Sequence, residues 1–597
     1  MNTLIADLES DGLLTSISQL HCIVTYDPDA RDWAEYNDQP GDKTGTIADG
    51  IAALQAADRT VWHNGLGYDL VAIEKVTGQS LDHTKVLDTL VLSRLARATR
   101  DGGHSLASWA DRFGRGFEKV ENEDWSTWTP HMQRRCREDV RITMKLYSRF
   151  LPLHEQLGEA SVVEHRVAHA AAMMVKRGFT LDTSRAHAVL DAKMIENHER
   201  LAEMQEMMPD WWVAQGPVKS FRRAPNKKHW GHGIIAGGDE FTPVELESFT
   251  PTARLQIAAR LQTMGWKPKK FTATGLVDTS ADVIRTINLP AAQLIADYLD
   301  TDKQIGQINS QPKKDGSGGG WLHHQRADER VHPHFNPTGA NTHRSSCSAP
   351  NLQQVSSAEE MRRCWVPKKG WTLVGVDAKG LELRCLAHYL AKWDDGEYAQ
   401  LLLEGDVHTH VQNLMGMRSR NKTKKFEYAW LYGAGDPKLG SILREDSGES
   451  GGGSNTKLGK AARSKFEGSI KGLSRLTATV KSKASSGKLR GIDGRTLWVR
   501  SPHSALNLLL QSCGAIIIKT AWAFMEEEML KDDLVHGVHY ATVIQVHDEW
   551  QIEARPEIAQ KVGEAVRRAI KRAEVALDIR CPLDGSIHVG PSWADTH

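Results

Sequence analysis

A chain of 597 residues and 66.3 kDa is too long for a single module and predicts two to four folded units, each with room for a buried core. Apolar residues make up 40% and charged residues 25%, a globular composition that excludes a disordered or collagen-like protein. The 75 bases balance 75 acids, but unevenly: residues 1–150 hold 23 acids against 17 bases, and the remainder 52 against 58. No apolar run approaches the ~18 residues of a membrane span, and Met1 to Asp11 carries acids where a secretion signal carries bases, so the expectation is a cytoplasmic protein with no membrane partner. Seven scattered cysteines (22, 136, 347, 364, 385, 513 and 581) form no CxxC pair; reduced thiols are expected, without a zinc ribbon or a disulfide framework.

In chain order, Leu4-Ile5-Ala6, Cys22-Ile23-Val24 and Val61-Trp62-His63 are short, apolar and partly β-branched, and predict strands of a mixed α/β sheet. Asp7-Leu8-Glu9 ends the first of them. Strand residues two apart share a face, so both carboxylates reach one metal ion. The pattern is common, since roughly nine acid-x-acid triplets arise by chance at this acid content. His63-Asn64-Gly65-Leu66-Gly67-Tyr68-Asp69 runs from a strand through a Gly-rich turn to another acid. Helical periodicity from Asp139 to Leu151 sets a further acid at a helix start, where complementing the helix dipole is an alternative role.

A second helical stretch from about Val162 to Met208 puts a change of domain near residue 155. Residues 216–242 break it with Gly, Pro and the bases Lys219, Arg222, Arg223, Lys227 and Lys228, and read as an insertion or loop tip. Residues 313–320 and 447–454 are Gly/Ser-rich tips. Gly459-Lys460 suggests a phosphate loop, but Ser454 stands where its first glycine belongs and Ala461 where Ser or Thr belongs, so an ATP-driven motor is not indicated.

Val374-Gly375-Val376-Asp377-Ala378 predicts a buried strand ending in an acid, followed by the helical Gly380-Leu381-Glu382-Leu383-Arg384. Val543 to Ile552 predicts a hairpin with His547-Asp548-Glu549 at its bend. An acid in such apolar surroundings is costly unless paired or metal-bound, so a buried salt bridge competes with a metal site. Between these segments, Arg420, Lys424, Tyr428 and Tyr432 recur every four residues and line one face of a helix, cationic and then aromatic. That order suits a triphosphate followed by a sugar and base. Five bases in residues 418–425 and ten in 457–490, the latter against Glu467 alone, read either as phosphate-binding runs or as solvated helix faces.

Asp7/Glu9, Asp69 and Asp139 together resemble the three motifs of DEDD-type 3′→5′ exonucleases. The third motif departs: Arg135 stands where Tyr, or sometimes His, is usual four residues before the Asp. The rear segments resemble motifs A, B and C of the family A (DNA polymerase I family) enzymes, above all the replicative branch of T-seven-like podophages. Asp377-Ala378 with Gly380 to His388, Leu431-Tyr432-Gly433-Ala434-Gly435, Arg500-Ser501-Pro502-His503, Leu510-Gln511-Ser512, His547-Asp548-Glu549 and the final His597 carry the resemblance, which spans nearly the whole chain.

The resemblance implies an α/β chain: an N-terminal RNase H-like 3′→5′ exonuclease domain (1–155) followed by a right-hand polymerase. Its parts would be a thumb (156–330, with the basic insertion 216–242), a palm in two pieces (331–400 and 515–597) and fingers (401–514). It implies two Mg²⁺ ions per active site, held by Asp377 and Asp548 at the rear and by Asp7, Glu9, Asp69 and Asp139 in front, with Asp88 as structural support. Glu549 would support the polymerase site and His547 hold the primer end. Arg420, Lys424 and His408 would bind dNTP phosphates, with Lys424 a proton donor to the leaving group. Tyr428 would lie by the sugar, predicting ready use of dideoxynucleotides, and Glu382 would exclude a ribose 2′-hydroxyl. Arg344, whose neighbour His343 replaces a usual Gly, would touch the duplex along with Asn351 to Gln354. Tyr432 would stack near the nascent pair, and Arg495, Asn507 and Gln511 would follow the minor groove. The implied partners are primer–template DNA, a phage helicase/primase and, at the insertion, host thioredoxin. A single-subunit RNA polymerase-like enzyme and a nuclease whose rear half only binds DNA are the rival readings.

Overall fold

β1 (Thr3–Ser10) is the middle strand of a five-stranded sheet that also contains β2 (Leu20–Asp27) and β3 (Asp32–Tyr36). After α1 (Ile47–Ala56) come β4 (Arg59–Trp62), α2 (Asp69–Thr77), β5 (Val86–Asp88) and α3 (Thr89–Ala96). In the order β3-β2-β1-β4-β5, β2 and β3 pair antiparallel while β4 and β5 join β1 in parallel, so the sheet is mixed, as expected. The strand alternation divides β1 between two cores. Leu4, Ala6 and Leu8 pack with Ile51 and Trp62, whereas Ile5 packs with Val61, Leu87, Cys136 and Val140. Asp7 and Glu9 share the face of Ile5, against α5 (Pro130–Leu157).

α5 begins nine residues before the predicted start. Thr129 accepts the Met132 N–H as N-cap and Pro130 opens the first turn, a combination that ends the backbone's unsatisfied N–H groups well before Asp139. Asp139 is therefore mid-helix and too deep to act through the dipole. The next predicted helix is two: α6 (Glu159–Arg177), then β6 (Phe179–Leu181) and α7 (Thr183–Met207). Gly178 makes the break, with φ +67° and with the His332 ring 2.7 Å from where a Cβ would stand.

The structure, a computed structural model, describes every residue except 1, 15, 115, 118–123, 223–237, 273, 315–317 and 449–453. The described chain divides into two compact units: Met1–Thr180 with Arg330–Gln354 and Trp365–His597, and Leu181–Glu329 with Val355–Cys364. In the latter, β7 (Trp211–Ala214) pairs with β8 (Val244–Glu247), and α8 (Arg254–Thr263) and α9 (Pro290–Asn309) enclose a core of Met204, Phe249, Ile257, Leu261 and Ile295. Lys219–Ser220 pairs with Glu240–Phe241, and the Phe221 and Phe241 rings stack at 4.3 Å, closing the base of the expected insertion. Arg223, Lys227 and Lys228 lie outside the described residues, as do the middles of the two Gly/Ser-rich tips.

The rest of the first unit is built on β9 (Thr372–Ala378). α10 (Leu381–Asp394), α11 (Val407–Met415) and α12 (Arg420–Leu431) follow it, then α13 (Ala505–Leu530), β10 (Tyr540–Val546), β11 (Glu549–Ala554), α14 (Ala559–Ala576) and β12 (Gly585–Gly590). The sheet order is β10-β11-β9-β12, all antiparallel. A Cβ on Gly375 would lie 2.0 Å from the Thr596 carbonyl oxygen, so the C-terminal segment lies flush on β9. Residues Pro502–Leu530 form a helix long and apolar enough to cross a membrane, contrary to the expectation from apolar runs, but 94% of the window is buried inside the protein, where it serves as a core helix. All seven cysteines are free and buried.

Candidate active sites

The β10–β11 hairpin turns at His547-Asp548, and β11 lies beside β9 with Asp377 opposite Glu549. The Ala378 N–H donates to the Asp548 carbonyl at 2.9 Å, tying the end of β9 to the bend. Asp377 and Asp548, far apart in the chain, thus become neighbours. Burial, then the charges of Glu382 and Asp377, push Asp548 up to about 7. Burial, then Glu549 and Glu382, push Asp377 up to about 6. Acids so reluctant to ionise with protein neighbours alone are a donor set that fits a divalent cation. Glu549 faces away from this need: its oxygens accept from Gln551 (2.5 Å), Trp593 (2.8 Å) and His597 (2.6 Å), so it braces the strand end.

Glu382, in the first turn of α10, accepts from Arg344 at 3.0 Å and from the Tyr432 hydroxyl at 2.8 Å. The segment after Arg344 is stitched to the hairpin. Ser345 donates to the Gln545 side chain (2.8 Å), Gln353 donates to Ser345 (2.8 Å) and to the Gln545 carbonyl (3.1 Å), and Gln545 donates to the carbonyl of the exposed His547 (2.7 Å). Ser419 caps α12 by accepting the Lys422 N–H. On this helix Arg420 and Lys424 are exposed, Tyr428 is half-buried and Tyr432 exposed, as the four-residue stripe predicts. The aromatic end adjoins the acids: burial, then Glu382 and Asp548, push the Tyr428 phenol up to about 12. Arg420 lies ~12 Å further along the axis. It is held by Asp406, the N-cap of α11, through Nε at 2.6 Å and Nη2 at 3.1 Å. That pairing keeps Asp406 well below the usual carboxylate range.

Three assignments change or narrow. Arg495 was expected along the minor groove but is wholly buried, bonded to Glu164 (2.6 Å), Asp493 (2.7 Å) and His343 (3.2 Å). Lys519 and Thr338 complete this network, with Lys519 at 2.8 Å from Glu164 and 2.7 Å from Thr338. A buried arginine paired to two acids is structural, since extracting it to reach a groove would strand Glu164 and Asp493. Asn507 donates to the Leu431 carbonyl at 2.9 Å and so closes the end of α12; Gln511, one turn further along α13, is half-buried. His408 is only 9% exposed, and its Nδ1 is hydrogen-bonded to Glu427 on α12. Sequence reasoning missed Glu164, Lys519, Asp406 and Glu427. The one available signal was Glu427 itself, the lone acid in helix α12.

In front, a ligand atom from each of Asp7, Glu9 and Asp139 lies within 4.8 Å of the other two, the one such group among the described residues. Asp69 stands outside that triad but close by: burial, then Asp88 and Glu9, push it up to about 8. Asp88 accepts from the N–H groups of Asn64 (3.0 Å), Leu66 (3.1 Å) and Leu90 (2.9 Å), fixing the turn that leads to Asp69, the supporting role expected of it. Arg135, one helical turn before Asp139, donates to Glu9 at 2.8 Å beneath the Trp125 ring, 4.6 Å away.

Comparison with known proteins completes the description. The family description "DNA polymerase family A" matches residues 239–595. The DNA-directed DNA polymerase of Escherichia phage T7 is 30% identical, and that of Enterobacteria phage T3 29%, each alignment covering 100% of both chains. Among solved structures, the POL domain of Pol1 from M. smegmatis, in complex with DNA primer-template and dNTP, superposes with a TM-score of 0.74 at 18% identity, covering 100% of this chain and 96% of that one; it is similar in fold.

Proposed function

The chain belongs to DNA polymerase family A, and from that premise we propose that it extends a primer 3′-OH on a DNA template with dNTPs and trims 3′ ends at its N-terminal acids. The observation that carries the synthetic half is the meeting of Asp377 and Asp548 at the ends of β9 and the β10–β11 hairpin, beside the aromatic end of α12. Asp377 and Asp548 would hold the divalent ions that family A polymerases use, here Mg²⁺. When bound, such ions lower the pKa of a primer hydroxyl and neutralise charge on pyrophosphate.

The protein's own groups do the rest. Tyr428 and Tyr432 offer ring faces for sugar and base, while Lys424, 5.9 Å from the Tyr428 ring, and Arg420, ~12 Å along the axis from Tyr428, offer cations for phosphate oxygens. Lys424, exposed beside the Tyr428 ring, is placed to give a proton to the departing pyrophosphate. Arg420 turns its full guanidinium to a phosphate by leaving Asp406, an exchange between two exposed partners of little net energy. Glu382, held by Arg344 and Tyr432, fills the space beside the sugar and so disfavours a 2′-hydroxyl. Thumb, palm and fingers follow as residues 156–330, 331–400 with 515–597, and 401–514.

Among the N-terminal elements, Asp7, Glu9, Asp139 and the adjacent Asp69 suit divalent ions for phosphodiester hydrolysis, the donors being all oxygen. The hairpin base at Lys219–Ser220 and Glu240–Phe241 carries the proposed accessory contact, with host thioredoxin the first factor to test by pull-down. A labelled primer–template incubated with Mg²⁺ tests the whole reading: the strand lengthens with dNTPs and shortens without them. A strand that lengthens equally well with rNTPs would favour the RNA polymerase reading instead.

A further inference from the structure

α11 and α12 are joined by two acid–base pairs that differ in burial. Asp406–Arg420 is exposed and can open for a ligand. His408–Glu427 is not: the Glu427 side chain is 1% exposed and that of His408 11%. His408 uses Nδ1 for Glu427, and its Nε2 has no hydrogen-bond partner among the described residues. Its neighbours identify the side on which it lies. The charges of Arg420 and Lys424 both act on it after burial, and the Tyr428 ring lies 6.2 Å away.

We infer that Glu427 is a positioning residue, holding the His408 imidazole so that its Nε2–H is presented to the phosphates of an incoming nucleotide alongside Arg420 and Lys424. The inference rests on the polymerase reading and names a contributor to its triphosphate site. A ring fixed at one nitrogen by a buried carboxylate has its orientation and its hydrogen position settled together. Burial, then the charge of Asp406, push Glu427 up to about 8. At neutral pH the pair then retains two protons. If the shared one sits on Nδ1 the ring is an imidazolium; if it sits on Glu427 the ring is the neutral Nε2–H tautomer. In both arrangements Nε2 is a donor, the form an anionic phosphate requires.

Single-nucleotide incorporation on a primer–template, with KM for the dNTP and kcat measured separately, tests this on the full chain. Glu427→Leu raises KM about tenfold with kcat within about twofold of wild type, and Glu427→Gln, which keeps a hydrogen-bonding group, has a smaller effect. His408→Gln matches Glu427→Leu, and the double variant is no worse than either single one. In ¹⁵N-histidine spectra, the resonance lost in His408→Gln shifts in Glu427→Leu. An unchanged KM in Glu427→Leu, or losses that multiply in the double variant, overturns the inference. Should Glu427→Leu fail to fold, Glu427→Gln decides alone: a raised KM supports the inference and an unchanged one overturns it. Failure of wild type to extend any primer would instead sink the polymerase reading.

Discussion

At the N-terminal cluster the acids meet a cation that the protein itself supplies, Arg135 at 2.8 Å from Glu9, whereas at Asp377 and Asp548 the near cation, Arg344, is bonded to Glu382, and Lys424 and Arg420 stand one and two turns beyond Tyr428 on α12, the latter paired with Asp406. Both clusters begin as an apolar strand that ends in carboxylates. What differs is where positive charge is stored. The front site has an arginine bonded directly to one of its acids before any ligand arrives, while at the rear Arg344 is bonded to Glu382 and only its field reaches Asp548, whose pKa stays raised. The contrast teaches that the partners of an acid cluster, as well as the acids, set how strongly it calls for a cation.

The strongest way to break the comparison is to disable one cluster alone. Asp139→Ala should lower degradation of a labelled 3′ end by about a thousandfold and leave extension within about twofold, measured on the same substrate with and without dNTPs. Equal losses in both reactions would mean that the two clusters are not independent sites. Removing the stored charge sharpens it. Arg135→Met should raise affinity for Mn²⁺ at the front site about tenfold by calorimetry and speed degradation similarly, because Glu9 is freed for a cation.

The rear acids, by contrast, should show their burial and mutual repulsion in pH dependence. Their pKa values are raised, so protons compete with metal up to about pH 7. The Mg²⁺ concentration for half-maximal extension should therefore rise roughly tenfold between pH 8 and pH 6, and a flat profile would mean that these acids titrate as ordinary carboxyls. The smallest effect expected is at the reserve: Asp406→Asn releases Arg420 and should lower KM for dNTPs about two- to threefold, since the exposed pair it breaks is weak.

Much of this was legible in the sequence because period-two and period-four patterns act locally. β1 and β9 with their terminal acids, the hairpin bend at His547-Asp548 and the stripe from Arg420 to Tyr432 all emerged where spacing put them. What was not legible depended on partners distant in the chain. The start of α5 is the exception, signalled locally by Thr129 and Pro130 just before the four-residue spacing of Met132, Cys136 and Val140; the helix break at Gly178 has its partner out of local reach, the His332 ring lying 154 residues away. Arg495 was set in the minor groove by resemblance alone, since nothing near it announces Glu164, and the partner of His408 was not visible because Glu427 reaches it from another helix.

The central claim is that Asp377 and Asp548 form one cation-dependent site for synthesis. Asp548→Asn is the most direct measurement, read in two ways on the same protein. Extension should fall by at least about a thousandfold with degradation retained. In metal-free buffer, a carboxyl with a raised pKa stabilises the fold below its unfolded value and loses that contribution as pH rises through about 7, so at pH 8 the variant should melt a few degrees above wild type. Extension that survives the substitution, or a variant that melts below wild type at pH 8, would contradict the account.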